Sequence, residues 1–184
     1  LEHAEGSWHP VQAWSPSSWT LPAVVALLTG RPPWEVLGEG DASYPPGGSI
    51  CQEIPDLRCE MISANPYVTK SRGFDRAFDF LHEVQSDKEA VARALEAWAL
   101  PGRKAVWVHL VTPHLPYEPT RVPPGATPRV GDKFWDLDGW ESYDAADRAR
   151  IAALYAAGLA DLDDRVGELL DGVGPGTITA LISD

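Results

Sequence analysis

The sequence predicts an α/β fold, because segments typical of strands alternate with segments typical of helices. Residues 105–112 are almost all apolar, as in a central buried strand of a parallel sheet. Residues 144–170 carry apolar side chains every three or four positions, which is typical of a long helix with one buried face. We therefore expect an α/β/α sandwich around a largely parallel sheet, in one domain that spans residues 1–184.

Local signals predict the elements of the first third of the chain. Residues 21–29 form an apolar run that Gly30 ends, which indicates a short buried helix with its N-terminus near Thr20. Residues 31–49 are rich in proline and glycine and are expected to form a loop. Residues 58–64 are expected to form a strand with Met61 and Ile62 at its centre, and the Asn-Pro pair that follows is expected to end it.

The remaining elements are predicted in the same way. Ser86 and Glu89 have the spacing of a capping box, which places a helix start at Ser86, and the helix is expected to stop at Pro101. Residues 116–140 are expected to form a long loop, which is often functional in a domain of this size. Residues 177–184 are apolar and β-branched, so we expect a final buried strand that ends at Asp184.

Composition and charge exclude some classes of partner. The net charge of −12, from 15 basic and 27 acidic residues, argues against binding to nucleic acid or anionic lipid. No apolar segment is long enough to span a membrane. The chain opens on Leu1 without an initiator Met, so we expect an internal piece of a longer polypeptide. The compartment is therefore left open between periplasmic or extracellular and cytoplasmic.

The two cysteines leave two alternatives open. Cys51 and Cys59 lie in one stretch bounded by proline and glycine, and they could form a local disulfide in an oxidising compartment or be free thiols. A zinc site is not indicated, because two cysteines without a nearby pair of histidines do not supply its ligands.

Three polar residues are expected at the carboxyl ends of strands, where sites form in open α/β sheets. Thr20 stands at a helix N-terminus, which attracts anions. His114 follows the apolar strand at 105–112, and Asp184 ends the last strand. A hydroxyl, an imidazole and a carboxylate at one edge suit metal-assisted attack on a phosphate or sulfate ester.

Several segments resemble the sulfatase family of the alkaline-phosphatase superfamily. Residues 19–31 resemble its nucleophile motif and place Thr20 at the nucleophile position. Residues 113–117 resemble its Pro-His-x-Pro-Tyr segment, whose His114 counterpart contacts the anionic group. Residues 182–184 resemble the start of its Ser-Asp-His-Gly metal motif. Further similar segments are residues 65–67, 73–79 and 155–170.

The resemblance implies an alkaline-phosphatase-like sandwich, incomplete at both ends, and a metal-dependent hydrolase of sulfate or phosphate esters of small molecules or glycans. It implies Thr20 and His114 as catalytic residues, and Thr20 and Asp184 as ligands of a divalent Ca, Mg, Mn or Zn ion. Two alternatives stay open: a transferase of phosphoglycerol or phosphoethanolamine groups, and a catalytically inactive binding protein. Because family metal ligands before residue 1 and after residue 184 are missing, we expect activity only from the full-length parent.

Three positions of this chain depart from the motifs of typical sulfatases, and they bear on the reaction that the resemblance implies. Thr20 replaces the cysteine or serine that becomes formylglycine in type I sulfatases, and Val24 stands where their motif has arginine. Asn65 stands near the position of their Lys-Trp-His segment. A threonine nucleophile is shared with phosphatase-like and head-group-transferring relatives.

Other polar and aromatic residues are expected to be structural. His109 is interpreted as a core histidine with a hydrogen-bond partner. Three aspartates lie on the long helix, and a solvated face or helix–loop bonding is expected for Asp161, Asp163 and Asp164. A calcium loop is not indicated by the spacing of Asp132, Asp136, Asp138 and Glu141. Core or rim positions, with a sugar-stacking platform as the alternative, are expected for Trp8, Trp14 and Trp19.

Overall fold

A computed structural model describes residue 12, residues 14–38, residue 40, residues 43–125 and residues 143–183. Its elements confirm the α/β fold with a parallel sheet. The helices are α1 (Thr20–Thr29), α2 (Pro33–Val36), α3 (Ile50–Glu53), α4 (Asp87–Ala99) and α5 (Ala145–Val173). The strands are β1 (Arg58–Ser63), β2 (Phe80–Glu83) and β3 (Lys104–His109).

The sheet of the described residues has the strand order β2-β1-β3, and both neighbours run parallel to β1. Ser63, the last residue of β1, is in register with Glu83 of β2 and with His109 of β3. Because all three strands run the same way, their carboxyl ends lie at one edge of the sheet. This edge is the place where open α/β sheets carry their sites.

The two faces of β1 pack against different helices. Cys59 and Met61 belong to a buried cluster that includes Leu21, Val24 and Leu28 of α1. The next residue, Ile62, points to the opposite face and packs with Ala90 and Ala94 of α4. This alternation follows from the two-residue period of a strand, and it buries β1 from both sides.

The described residues divide into two compact units. The sheet unit is built from residues of Trp8–Leu110 and Leu169–Asp184, and the helical unit from residues of Val111–Glu168. The interpretation of residues 1–184 as one domain stays a prediction.

Four predicted elements are confirmed, and for helices α1 and α4 the predicted terminal residues are confirmed as well. Gly30 ends α1 in the left-handed conformation (φ 65°), where glycine meets no penalty from a Cβ atom. The Ser86 side chain accepts a hydrogen bond of 3.2 Å from the Glu89 N–H at the start of α4. Strand β1 and helix α5 also lie where the sequence predicts them.

The strand predicted at 105–112 is present as β3, but its predicted central position is wrong, and so is the strand predicted at 177–184. The strand predicted as central, β3, is an edge strand among the described residues and stops at His109, and all six of its residues are partly exposed. Residues 177–183 form no strand, and Ile178 is 99% exposed. A strand needs a paired neighbour for its backbone groups, and no described strand pairs with this apolar segment.

Short elements were missed by the sequence interpretation. Helix α2 lies inside the predicted loop at 31–49, where Pro33 occupies a first-turn position that suits its missing N–H. Strand β2 has only four residues and forms through its pairing with β1. No helix of the described residues is long and apolar enough to cross a membrane.

A disulfide joins Cys51 of α3 to Cys59 of β1, with their Cα atoms 5.9 Å apart. The structure thus selects one of the two alternatives for the cysteines. The bond ties α3 to the face of β1 that packs against α1, because Cys59 is a buried member of that cluster and Cys51 packs against it.

We expect a reductant to lower the free energy of unfolding by about 2.5 kcal/mol, because a closed loop of eight-residue separation restricts the unfolded chain. Urea unfolding with and without reductant measures this difference. The Cys51→Ala variant is the control, since it has no disulfide to lose and its unfolding midpoint should not respond to reductant. An unchanged midpoint in the reduced wild-type protein would contradict the expectation.

Candidate functional site

The carboxyl edge of the sheet carries a buried polar turn directly after β1. Ser63 and Asn65 are only 2% and 7% exposed. The Asn65 N–H donates to the Ser63 hydroxyl at 3.1 Å, and the Asn65 side-chain carbonyl accepts from the Tyr67 N–H at 2.8 Å. These bonds satisfy backbone groups where the strand pairing ends, and they fix the orientation of the Asn65 amide.

The Asn65 amide reaches across to β3 and sets the tautomer of the neutral His109 ring. Asn65 Nδ2 lies 3.2 Å from His109 Nε2. An amide nitrogen only donates, so Nε2 accepts and the neutral His109 ring carries its hydrogen on Nδ1. His109 therefore has a hydrogen-bond partner, as expected, although the sequence placed it in a fully buried strand and it is half-exposed.

A second histidine of the same sheet has the opposite arrangement. His82 Nε2 lies 3.1 Å from Glu60 Oε2, and because a carboxylate only accepts, the hydrogen of His82 is on Nε2. Each histidine therefore serves as the control for the other in a measurement of the tautomers.

We expect ¹⁵N NMR to show the Nδ1–H tautomer for His109 and the Nε2–H tautomer for His82. In the Asn65→Asp variant, a carboxylate replaces the amide donor, so the His109 hydrogen should move to Nε2 while His82 stays unchanged. The same tautomer for both wild-type histidines, or an unchanged His109 in the variant, would contradict this geometry.

Thr20 is the first residue of α1 and lies close to this edge. The ring of Trp19, its N-cap residue, packs edge-on against the ring of Tyr67 at a centroid distance of 6.3 Å. Tyr67 is in turn held by Asn65. The chain of contacts from Trp19 through Tyr67 to Asn65 thus links the start of α1 to the carboxyl edge.

The N-terminus of α1 has the character of an anion-binding end. Trp19 supplies no side-chain hydrogen bond to the first turn, since an indole has a donor and no acceptor. The first turn presents the N–H groups of Thr20 and Leu21, while Pro22 has none. The positive end of the helix dipole therefore lies at Thr20, a half-buried residue with a hydroxyl side chain.

His114 belongs to the helical unit and is exposed. Its backbone N–H donates to the Val111 carbonyl at 2.8 Å, and its Nδ1 donates to the Leu115 carbonyl at 2.6 Å. This loop packs closely on α5, where a Cβ on Gly158 would lie 3.2 Å from the Thr112 carbonyl oxygen. With Nδ1 engaged, Nε2 is the ring atom that can face a ligand, and it donates when the ring is protonated.

The predicted metal ligands are not assembled in the part of the chain that the structure describes. Asp184 lies outside the described residues. The acidic residues for which no calcium loop is predicted also lie outside them: Asp132, Asp136, Asp138 and Glu141. The described residues contain no group of three or more His, Cys, Asp or Glu side chains that could hold a metal ion. The described residues therefore do not complete a metal-ligand set on their own.

The helix–loop bonding expected for the aspartates of α5 is observed. Asp161 is buried and accepts a hydrogen bond from the Thr120 N–H, and Asp164 forms an ion pair with Arg121. These bonds fasten the loop after His114 to α5 within the helical unit.

The aromatic predictions have a mixed outcome. Trp19 is 46% exposed and lies at the rim of the sheet unit, as expected, whereas Trp14 is 85% exposed and is not a core residue. Trp8 lies outside the described residues.

Sequence reasoning missed the polar turn as a site feature. It used Asn65 to end β1 and compared it with the sulfatase motif, but did not place it in a site, although a polar residue directly after a parallel strand marks the edge where sites form. Comparisons with known proteins found no matching family model, curated protein or solved structure.

Proposed function

We propose that this chain belongs to a hydrolase of sulfate or phosphate esters, with Thr20 as the nucleophile and an alkaline-phosphatase-like sandwich as its fold. The observation that carries the proposal is the position of Thr20 in the uncapped first turn of α1, linked through Trp19 and Tyr67 to the carboxyl edge of a parallel sheet. A helix N-terminus at this edge favours an anionic group next to a hydroxyl.

In the proposed reaction, Thr20 Oγ1 forms a bond to phosphorus or sulfur while the bond from that atom to the leaving oxygen breaks. The Thr20 hydroxyl proton passes to solvent, and the leaving oxygen takes up a proton from solvent. His114 is the second catalytic residue that the sulfatase resemblance implies. Water then attacks the covalent ester and releases phosphate or sulfate, which restores the Thr20 hydroxyl. The N–H groups of the first turn of α1 stabilise the negative charge of the transferred group.

The proposal includes a divalent Ca, Mg, Mn or Zn ion, with Thr20 and Asp184 as the ligands from this chain. Such an ion would supply charge neutralisation and a more acidic hydroxyl. The substrate is a small-molecule or glycan ester, in accordance with the strongly acidic chain that disfavours nucleic acid.

An ester panel tests the proposal. The longest natural polypeptide that contains this sequence is loaded separately with manganese, zinc, magnesium and calcium, and is assayed with an aryl sulfate, a phosphate monoester and a phosphate diester. Metal-dependent turnover of at least one ester is the expected result. Folded protein with bound metal and no turnover of any ester would overturn the hydrolase and favour the transferase or the inactive binding protein.

A further inference from the structure

The helical unit contains a pocket of about 350 Å³ that the proposed hydrolysis does not use. Helix α5 supplies four of its lining residues, which recur at the spacing of one helix face, and the loop after His114 supplies the fifth. The lining residues are Tyr117, Arg148, Ile151, Ala152 and Tyr155.

Two tyrosines give the pocket an aromatic wall. The rings of Tyr117 and Tyr155 meet edge to face, with their centroids 5.9 Å apart and their planes at 72°. Burial, together with the nearby Tyr155, raises the pKa of Tyr117, so its hydroxyl is neutral at physiological pH. With Ile151 and Ala152 beside them, the two rings suit a planar apolar group, because a third ring gains contact with both.

Arg148 provides a positive charge at this wall. The other three arginines in the described part of the helical unit pair with carboxylates, as Arg121–Asp164, Arg150–Asp147 and Arg165–Glu168. Arg148 instead donates from Nε to the Tyr143 carbonyl at 3.2 Å, and no carboxylate of the described residues lies within ion-pair distance.

The backbone contact of Arg148 orients its guanidinium and uses only one of its five N–H donors. In a chain of net charge −12, a cation that has no carboxylate partner among the described residues and lies beside an apolar wall is complementary to an anionic ligand.

We propose that this pocket binds a planar aromatic anion, with the ring against Tyr117 and Tyr155 and the anionic group on Arg148. The ligand class is an aromatic carboxylate, sulfonate, sulfate or phosphate. The proposal does not depend on the hydrolase, because it requires binding and no bond cleavage.

The test uses 2-naphthalenesulfonate, which carries no ester to hydrolyse, and isothermal titration calorimetry. Wild-type protein should bind it, and should bind two matched probes at least about tenfold more weakly: 2-naphthol, which lacks the negative charge, and inorganic sulfate, which lacks the ring. Equal affinity for 2-naphthol and 2-naphthalenesulfonate would overturn the role of the charge, and no binding of the sulfonate would overturn the site.

Two arginine variants locate the binding. Arg148→Gln keeps an N–H donor near the Tyr143 carbonyl but removes the charge, and it should weaken binding by about tenfold or more. Arg150→Gln removes a charge from the same helix outside the pocket and should change affinity less than about twofold. Equal losses in the two variants, with circular dichroism showing both folded, would overturn the assignment to the pocket.

Discussion

The Glu60→Gln variant is expected to lose about 3 kcal/mol of unfolding free energy. Glu60 is 4% exposed, and its carboxylate lies 2.6 Å from Arg58 Nε and 3.1 Å from His82 Nε2. A neutral amide removes the charge that compensates Arg58, and because it has only one carbonyl oxygen, its NH2 group faces either the Arg58 Nε–H or the His82 N–H. The partners are partly exposed, which places the loss at the lower end of the range for broken buried pairs.

Urea unfolding measures this loss, and Glu96→Gln is its matched control. Glu96 lies 2.8 Å from Arg93, and both side chains are exposed, so this pair contributes less than about 0.5 kcal/mol. Similar losses in the two variants would show that burial of Glu60 does not determine the strength of its contacts.

The Thr20→Ala variant is expected to lose ester turnover by about a thousandfold or more, because it lacks the attacking oxygen. Thr20→Ser keeps a hydroxyl at the same first-turn position and should retain measurable turnover. Thr29→Ala is the control for helix stability, since Thr29 ends the same helix and its hydroxyl bonds only locally, to the Val25 carbonyl at 2.8 Å and from the Arg31 N–H at 3.3 Å.

Circular dichroism and the unfolding midpoint should show that the Thr20 variants remain folded. Turnover of Thr20→Ala close to that of the wild-type protein would contradict the nucleophile. An equal loss of turnover in Thr29→Ala would show that the effect comes from a change in helix α1 and not from the Thr20 hydroxyl.

The longer helices α1, α4 and α5 were predictable because their signals are local. Gly30 and Ser86 terminate or start helices through their own backbone and side-chain geometry. The strands were harder to predict, because an apolar run shows that a segment suits a strand but not which neighbours it has. The same kind of pattern led to β3 being placed at the centre of the sheet and to a strand being expected at 177–184.

The candidate site, like the fold, was predictable only where its signals are local in the sequence. The place of Thr20 at a helix start follows from a local pattern, and the structure agrees. The pair of Asn65 and His109 joins residues 44 positions apart and depends on the register that sets Ser63 opposite His109. Register is a tertiary property, so no local pattern could have predicted this contact.

The most direct test of the central claim is mass spectrometry of the polypeptide after rapid mixing with its best ester substrate and acid quench. The account predicts a phosphoryl or sulfuryl group on the peptide that contains Thr20, and none in the Thr20→Ala variant. Rapid turnover with a covalent group on a different residue, or turnover that is unaffected by Thr20→Ala, would contradict it.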